Sequence, residues 1–191
     1  MMYESVMETN NDSTGGLWSF EIPFLLNPIN NKNKYNKKQR GIGGSHKYKK
    51  IPNFFIENQN EILNLYEKES HRLNTQYITK NPVTEKHPKH FFLLGFANAI
   101  IKLPNGENRL IKINSKTKYK YSDSTKNKIS SNHLIDLFIS MECFDVNSVD
   151  YIMFRNNENI NVQTFYRNNK FFENIEDYIV ELWESRWRSL S

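Results

Sequence analysis

Residues 90–121 carry the feature that most restricts the fold. Two apolar runs, HFFLLGFANAIIKL and NRLIKINSKTKYKY, are joined by Pro104-Asn105-Gly106. Proline presets the first turn angle, asparagine tolerates the second, and glycine supplies the left-handed position that closes a three-residue hairpin loop. An antiparallel strand pair is therefore predicted at the middle of the chain. In its second strand Leu110, Ile111 and Ile113 alternate with Lys112, Asn114 and Lys116, which predicts one solvated face.

The flanking segments read as helices and shorter strands. ENQNEILNLYEKESHRL (57–73) spaces Ile62, Leu65, Tyr66 and Leu73 near the helical period, with Asn58 or Asn60 as N-cap. SSNHLIDLFISMECF (130–144) is a second helix, capped by Ser130 or Ser131 and apolar along Leu134, Leu137, Phe138 and Met141. Residues 150–172 form two short strands around an Asn-rich turn. In the last helix, 173–190, Glu173, Glu176 and Asp177 come early and Arg186 and Arg188 late, which complements the helix dipole. This order predicts an α+β domain over residues 51–191, with an antiparallel sheet and three helices.

Residues 1–50 read differently. The polar start ends in Gly15-Gly16, and Pro23 and Pro28 exclude a helix from LWSFEIPFLLNPI (17–29), leaving an edge strand or extended segment. Trp18, Phe20 and Phe24 make it an extended N-terminal arm suited to assembly. A basic glycine-rich loop follows.

Net charge is +5, from 26 basic and 21 acidic residues among 191, and the excess is concentrated in 32–50 and 112–128. Asn and Lys enrichment matches the bias of an AT-rich coding sequence, so the lysine count alone says little about partners. A single cysteine, Cys143, excludes an intrachain disulfide and a multi-cysteine metal site. No apolar run reaches membrane-spanning length and the start lacks a signal-peptide pattern, so a soluble protein of the cytoplasm is expected.

Four chemistries are open to these residue types. The loop NKKQRGIGGSHKYKK (36–50) lacks the spacing GxxxxGK[ST] and the spacing GxGxxG. Arg40, Gly41, Gly43, Gly44, Lys47, Lys49 and Lys50 remain a candidate nest for a phosphate or other anion, or an intermolecular contact. His87 and His90 of HPKH are separated by Pro88, which denies them a helical metal face, and Cys143 with His133 or His71 reads better as a buried thiol than as a nucleophile and base. No catalytic constellation stands out. The expectation is no enzyme, no metal and no cofactor beyond a trapped nucleotide or anion. Nucleic acid is the alternative partner: Lys32, Lys34, Lys37, Lys38 and Arg40 interleave with Tyr35 and Tyr48, and Lys112, Lys116, Lys118 and Lys120 with Tyr119 and Tyr121.

Over residues 91–188, the order of KLPNGENRLIKINSKTKYKY, SSNHLIDLFISMECF, YIMFRNNENINVQTFYR and IEDYIVELWESRW resembles that of cypovirus polyhedrins, the occlusion-body proteins that crystallise around insect virions. The resemblance implies a non-enzymatic, self-assembling structural protein with a sandwich-like, trimer-forming domain and an arm reaching its neighbours. Its partners would be other copies of itself and virus particles, in the cytoplasm of an infected cell. It further implies a lattice stable at neutral pH and dissolved by alkali. Tyr35, Tyr48, Tyr119 and Tyr121 are the candidate pH-sensitive contacts, because phenols ionise near pH ~10.

Overall fold

The computed structural model describes residues 17–19, 22, 58–69, 76–114, 129–156 and 159–188. Strand β1 is Leu17–Trp18, and helix α1, Gln59–Glu69, follows. Next come β2 (Gln76–Thr79), β3 (Val83–Lys86), β4 (Leu93–Ala97), β5 (Ala99–Lys102) and β6 (Asn108–Asn114). Helix α2 spans Ser131–Phe144, β7 Ser148–Asn156, β8 Asn159–Tyr166 and helix α3 Asn169–Arg188. The class is α+β, and the described residues include three long helices.

The predicted hairpin is present. Gly106 takes the left-handed conformation (φ 87°) and its N–H bonds to the Leu103 carbonyl at 2.9 Å. β5 and β6 then pair antiparallel, Ala99 opposite Ile111 and Lys102 opposite Asn108. The upstream strand, however, is broken at Asn98. Its first half, β4, joins a three-stranded sheet of order β1-β4-β3. Its second half, β5, joins a five-stranded sheet of order β2-β5-β6-β7-β8. β6 and β7 are parallel, joined by the α2 crossover, and β1 is parallel to β4, so both sheets are mixed.

Helices cover both faces of the larger sheet. On one face, Ile62, Leu63 and Tyr66 of α1 pack on Ala99, Ile101, Ile111, Ile113 and Ile152. On the other, Leu137 and Met141 of α2 pack on Ala97, Leu110, Val149 and Tyr151. A third cluster joins α2 and α3 to the smaller sheet through Leu17, Phe92, Leu93, Ile139, Cys143, Phe172 and Ile179. The solvated face predicted for β6 is therefore absent: Lys112 is buried, because α2 lies over the side to which it points.

Local chemistry sets the helix ends. The Ser130 side chain caps α2 by accepting from the His133 N–H, which decides between the two serines. At the other end Asp145 adopts the left-handed conformation (φ 48°), and the Val146 N–H bonds to the Met141 carbonyl at 3.1 Å. α1 begins directly after Asn58, and it buries Leu63 in addition to the anticipated Ile62 and Tyr66. Among the described residues no helix is long and apolar enough to cross a membrane.

Candidate functional site

The chemically densest point lies on the α2 side of β6. The Lys112 ammonium is 2.6 Å from Asp136 Oδ2 and donates to Ser140 Oγ at 2.8 Å, both on α2. Ser19, which follows β1, donates to Asp136 Oδ1 at 2.5 Å, and Ser140 donates to Ser19 Oγ at 3.2 Å. β1 is held there by backbone bonds from the Leu17 N–H to the Phe92 carbonyl and from the Ser19 N–H to the Leu94 carbonyl. Every polar atom of the cluster thus has a partner, and Ser19 and Ser140 are fully buried. Burial pushes the Lys112 pKa down from the ordinary lysine value, while the Asp136 charge and hydrogen bond hold it up.

Asn98 stands beside this centre at the strand break. Its Oδ1 accepts the Ile113 N–H at 2.8 Å, and its Nδ2 donates to Gln59 Oε1 at 3.2 Å. Gln59 in turn donates to the carbonyls of Asn98 and Lys80, at 2.9 and 2.6 Å. On the α1 face, buried Asp150 accepts from Tyr66 and Thr164, each at 2.6 Å, and from Arg109 at 3.3 Å. Arg109 also donates to Ser148 at 2.9 Å. A third cluster, Arg167 with Glu142 and Asp145, flanks an open basin of about 730 Å³ that includes Asn147, the exposed Tyr166 and Lys170.

Of the expected site residues, the glycine-loop set Arg40, Gly41, Gly43, Gly44, Lys47, Lys49 and Lys50 lies outside the described residues, as do Tyr35, Tyr48, Tyr119, Tyr121, Phe20 and Phe24. Trp18 belongs to β1, the edge strand of the smaller sheet. Lys112 does not begin an exposed basic strip; Lys116, Lys118 and Lys120 lie beyond the described residues. Cys143 is not paired with His133, which bonds to the Tyr151 hydroxyl at 2.8 Å; burial pushes the Cys143 thiol up to about 12. Sequence reasoning missed Asp136 and Ser140. Their only signal was an i, i+4 polar pair on an otherwise apolar helix.

This architecture is shared with solved structures of an alkaline exonuclease. The chain is similar to the crystal structure of the alkaline exonuclease LHK-Exo from Laribacter hongkongensis, with a TM-score of 0.69 and 13% identity over 93% of this chain and 92% of that one. To LHK-Exo in complex with dAMP the TM-score is 0.66, with 12% identity over the same shares. No protein-family model matches the chain, and no curated protein matches it.

These similarities correct the resemblance to polyhedrins. The strand–helix order that suggested it belongs instead to a fold shared with an alkaline exonuclease structure, and α2 is the crossover between parallel strands. A structural protein of viral occlusion bodies is accordingly set aside, together with its self-assembling lattice and alkali dissolution. So is the expectation of no enzyme, which rested on missing sequence signatures: the fold is one that an exonuclease uses.

Among the described residues no three His, Cys, Asp or Glu side chains gather to hold a metal ion. Leu110 is fully buried in apolar surroundings, and Asn98 is committed by both ends of its amide. The donor set at Lys112 thus does not fit a divalent cation, which requires several hard oxygen ligands.

Proposed function

We propose that this protein binds nucleic acid, using the exonuclease-type fold to present its basic segments to a phosphate backbone. One observation carries the reading: the likeness to an alkaline exonuclease extends over 93% of the chain. The charge distribution supports it. Lys32, Lys34, Lys37, Lys38 and Arg40 interleave with Tyr35 and Tyr48, and Lys116, Lys118 and Lys120 with Tyr119 and Tyr121. Cations neutralise phosphates while aromatic rings stack on bases, a combination that suits single-stranded ends and overhangs.

The test is fluorescence anisotropy with labelled single-stranded DNA, duplex DNA and RNA across a salt series. Binding should weaken steeply with salt, log K falling by about 0.7 to 0.9 per phosphate contact for each unit of log salt. Replacing Lys37, Lys38 and Arg40 by Ala should weaken binding to all sequences alike and flatten the salt slope by about 1 per lost contact. Absence of binding to every probe at low salt would refute the proposal.

A further inference from the structure

We infer that the Lys112 centre takes no divalent cation, and that the Lys112 ammonium itself supplies the positive charge at this place in the fold. Asp136 is the only carboxylate in contact with Lys112 among the described residues, and both its oxygens are engaged, one by the ammonium and one by Ser19. An ion bound to Asp136 would face a like charge 2.6 Å from the same oxygen and would have to displace it. Of the other acids on the described elements around it, Glu85 of β3 is exposed to solvent and the remaining two are committed. Asp150 bonds to Tyr66, Thr164 and Arg109 on the opposite face of the sheet, and Glu142 is paired with Arg167.

β1 reinforces this arrangement. Ser19 is bound to Asp136 while its own backbone is tied to β4, so the N-terminal strand closes the centre as part of the fold. The aromatic ring of Phe96, 5.9 Å from the Lys112 ammonium, adds a further surface that suits a cation already in place. Among the described residues, a lysine, an aspartate and two serines then form a cluster of no net charge in which both Asp136 oxygens are engaged, which leaves too few free hard oxygens for a divalent cation.

The inference is tested on the whole protein by thermal unfolding with Mg2+, Mn2+ or EDTA, and by NMR of the Ile111 and Ile113 amides during Mn2+ titration. The expected result is an unchanged melting temperature and no selective broadening of those two amides. Selective broadening, or a Mn2+-dependent rise in melting temperature that Asp136→Asn abolishes, would overturn it. A rise that survives Asp136→Asn without such broadening places the ion elsewhere and upholds it. The NMR readout needs no variant, so it holds even where Asp136→Asn does not fold. DNA binding rests on the reading above and is scored separately: affinity equal in EDTA and Mg2+ agrees with both, whereas loss of all binding refutes only that reading.

Discussion

His87 shows how one side chain turns a loop into a rigid corner. It follows β3, and its Nδ1 accepts the N–H groups of Lys89 and His90, at 3.1 and 3.0 Å. The ring stacks on Phe172 of α3 at 4.9 Å and on His90 at 5.1 Å. A proton on Nδ1 would break both hydrogen bonds and place charge in a buried stack. Burial, the adjacent His90, Arg167 and Lys89 lower the His87 pKa from 6.5 to about 4, against the opposing pull of Glu176. The folded protein therefore holds fewer protons than the unfolded chain between those values. Stability that is complete above pH 6.5 is lost as pH falls through about 4. The His87→Asn variant keeps an acceptor for the turn but does not titrate. Its melting temperature should fall less than wild type between pH 6.5 and 4, the window set by the His87 shift. Parallel melting curves for the two proteins across that window would show that His87 has no such role.

At the scale of elements, what was legible in the sequence is what neighbours along the chain decide. Pro104-Asn105-Gly106 announced a hairpin because only glycine tolerates the positive φ of 87° that Gly106 adopts. The pair Ser130-Ser131 announced the start of α2, and the Ser130 hydroxyl is the one that satisfies an otherwise unpaired N–H of the first turn. What tertiary contacts decide was hidden. Alternation along β6 looked like a wet face, but a second helix covers it, and Lys112 is buried against residues 24 and 28 positions away. The parallel pairing of β6 with β7 carries no local signature, since a crossover helix looks the same whichever strand it returns to. Gly95 shows the same dependence on distant packing. A Cβ there would lie 2.6 Å from Cys143 Cβ, so the glycine is what lets β4 approach α2. Gly95→Ala should cost about 1–3 kcal/mol in urea unfolding, the usual penalty for overpacking. A change below about 0.5 kcal/mol, typical of a surface site, would mean that strand and helix do not meet so closely.

For the molecule as a whole, Asn98 is the junction. The two sheets part at this residue, β5 begins directly after it, and its side chain ties the β6 backbone to Gln59 at the start of α1. The amide is demanded rather than merely tolerated. Its oxygen must accept from the Ile113 N–H, and its nitrogen must donate to a Gln59 oxygen whose partner nitrogen is already committed to two carbonyls. A carboxylate satisfies the first requirement and fails the second, placing an oxygen against an oxygen. Asn98→Asp adds one carboxyl oxygen and removes two N–H donors without changing size, so its effect reads the electrostatics of the junction alone. The expected cost at pH 7 is about 3–5 kcal/mol, as for an uncompensated buried charge. Burial would raise the pKa of the introduced carboxyl, making the folded state bind more protons than the unfolded chain above the ordinary aspartate range. The deficit relative to wild type should therefore shrink as pH falls from 7 toward that range. Urea unfolding of both proteins at a series of pH values measures it. A deficit that is constant with pH would mean the introduced group remains solvated, and that Asn98 does not close the junction between the sheets and α1.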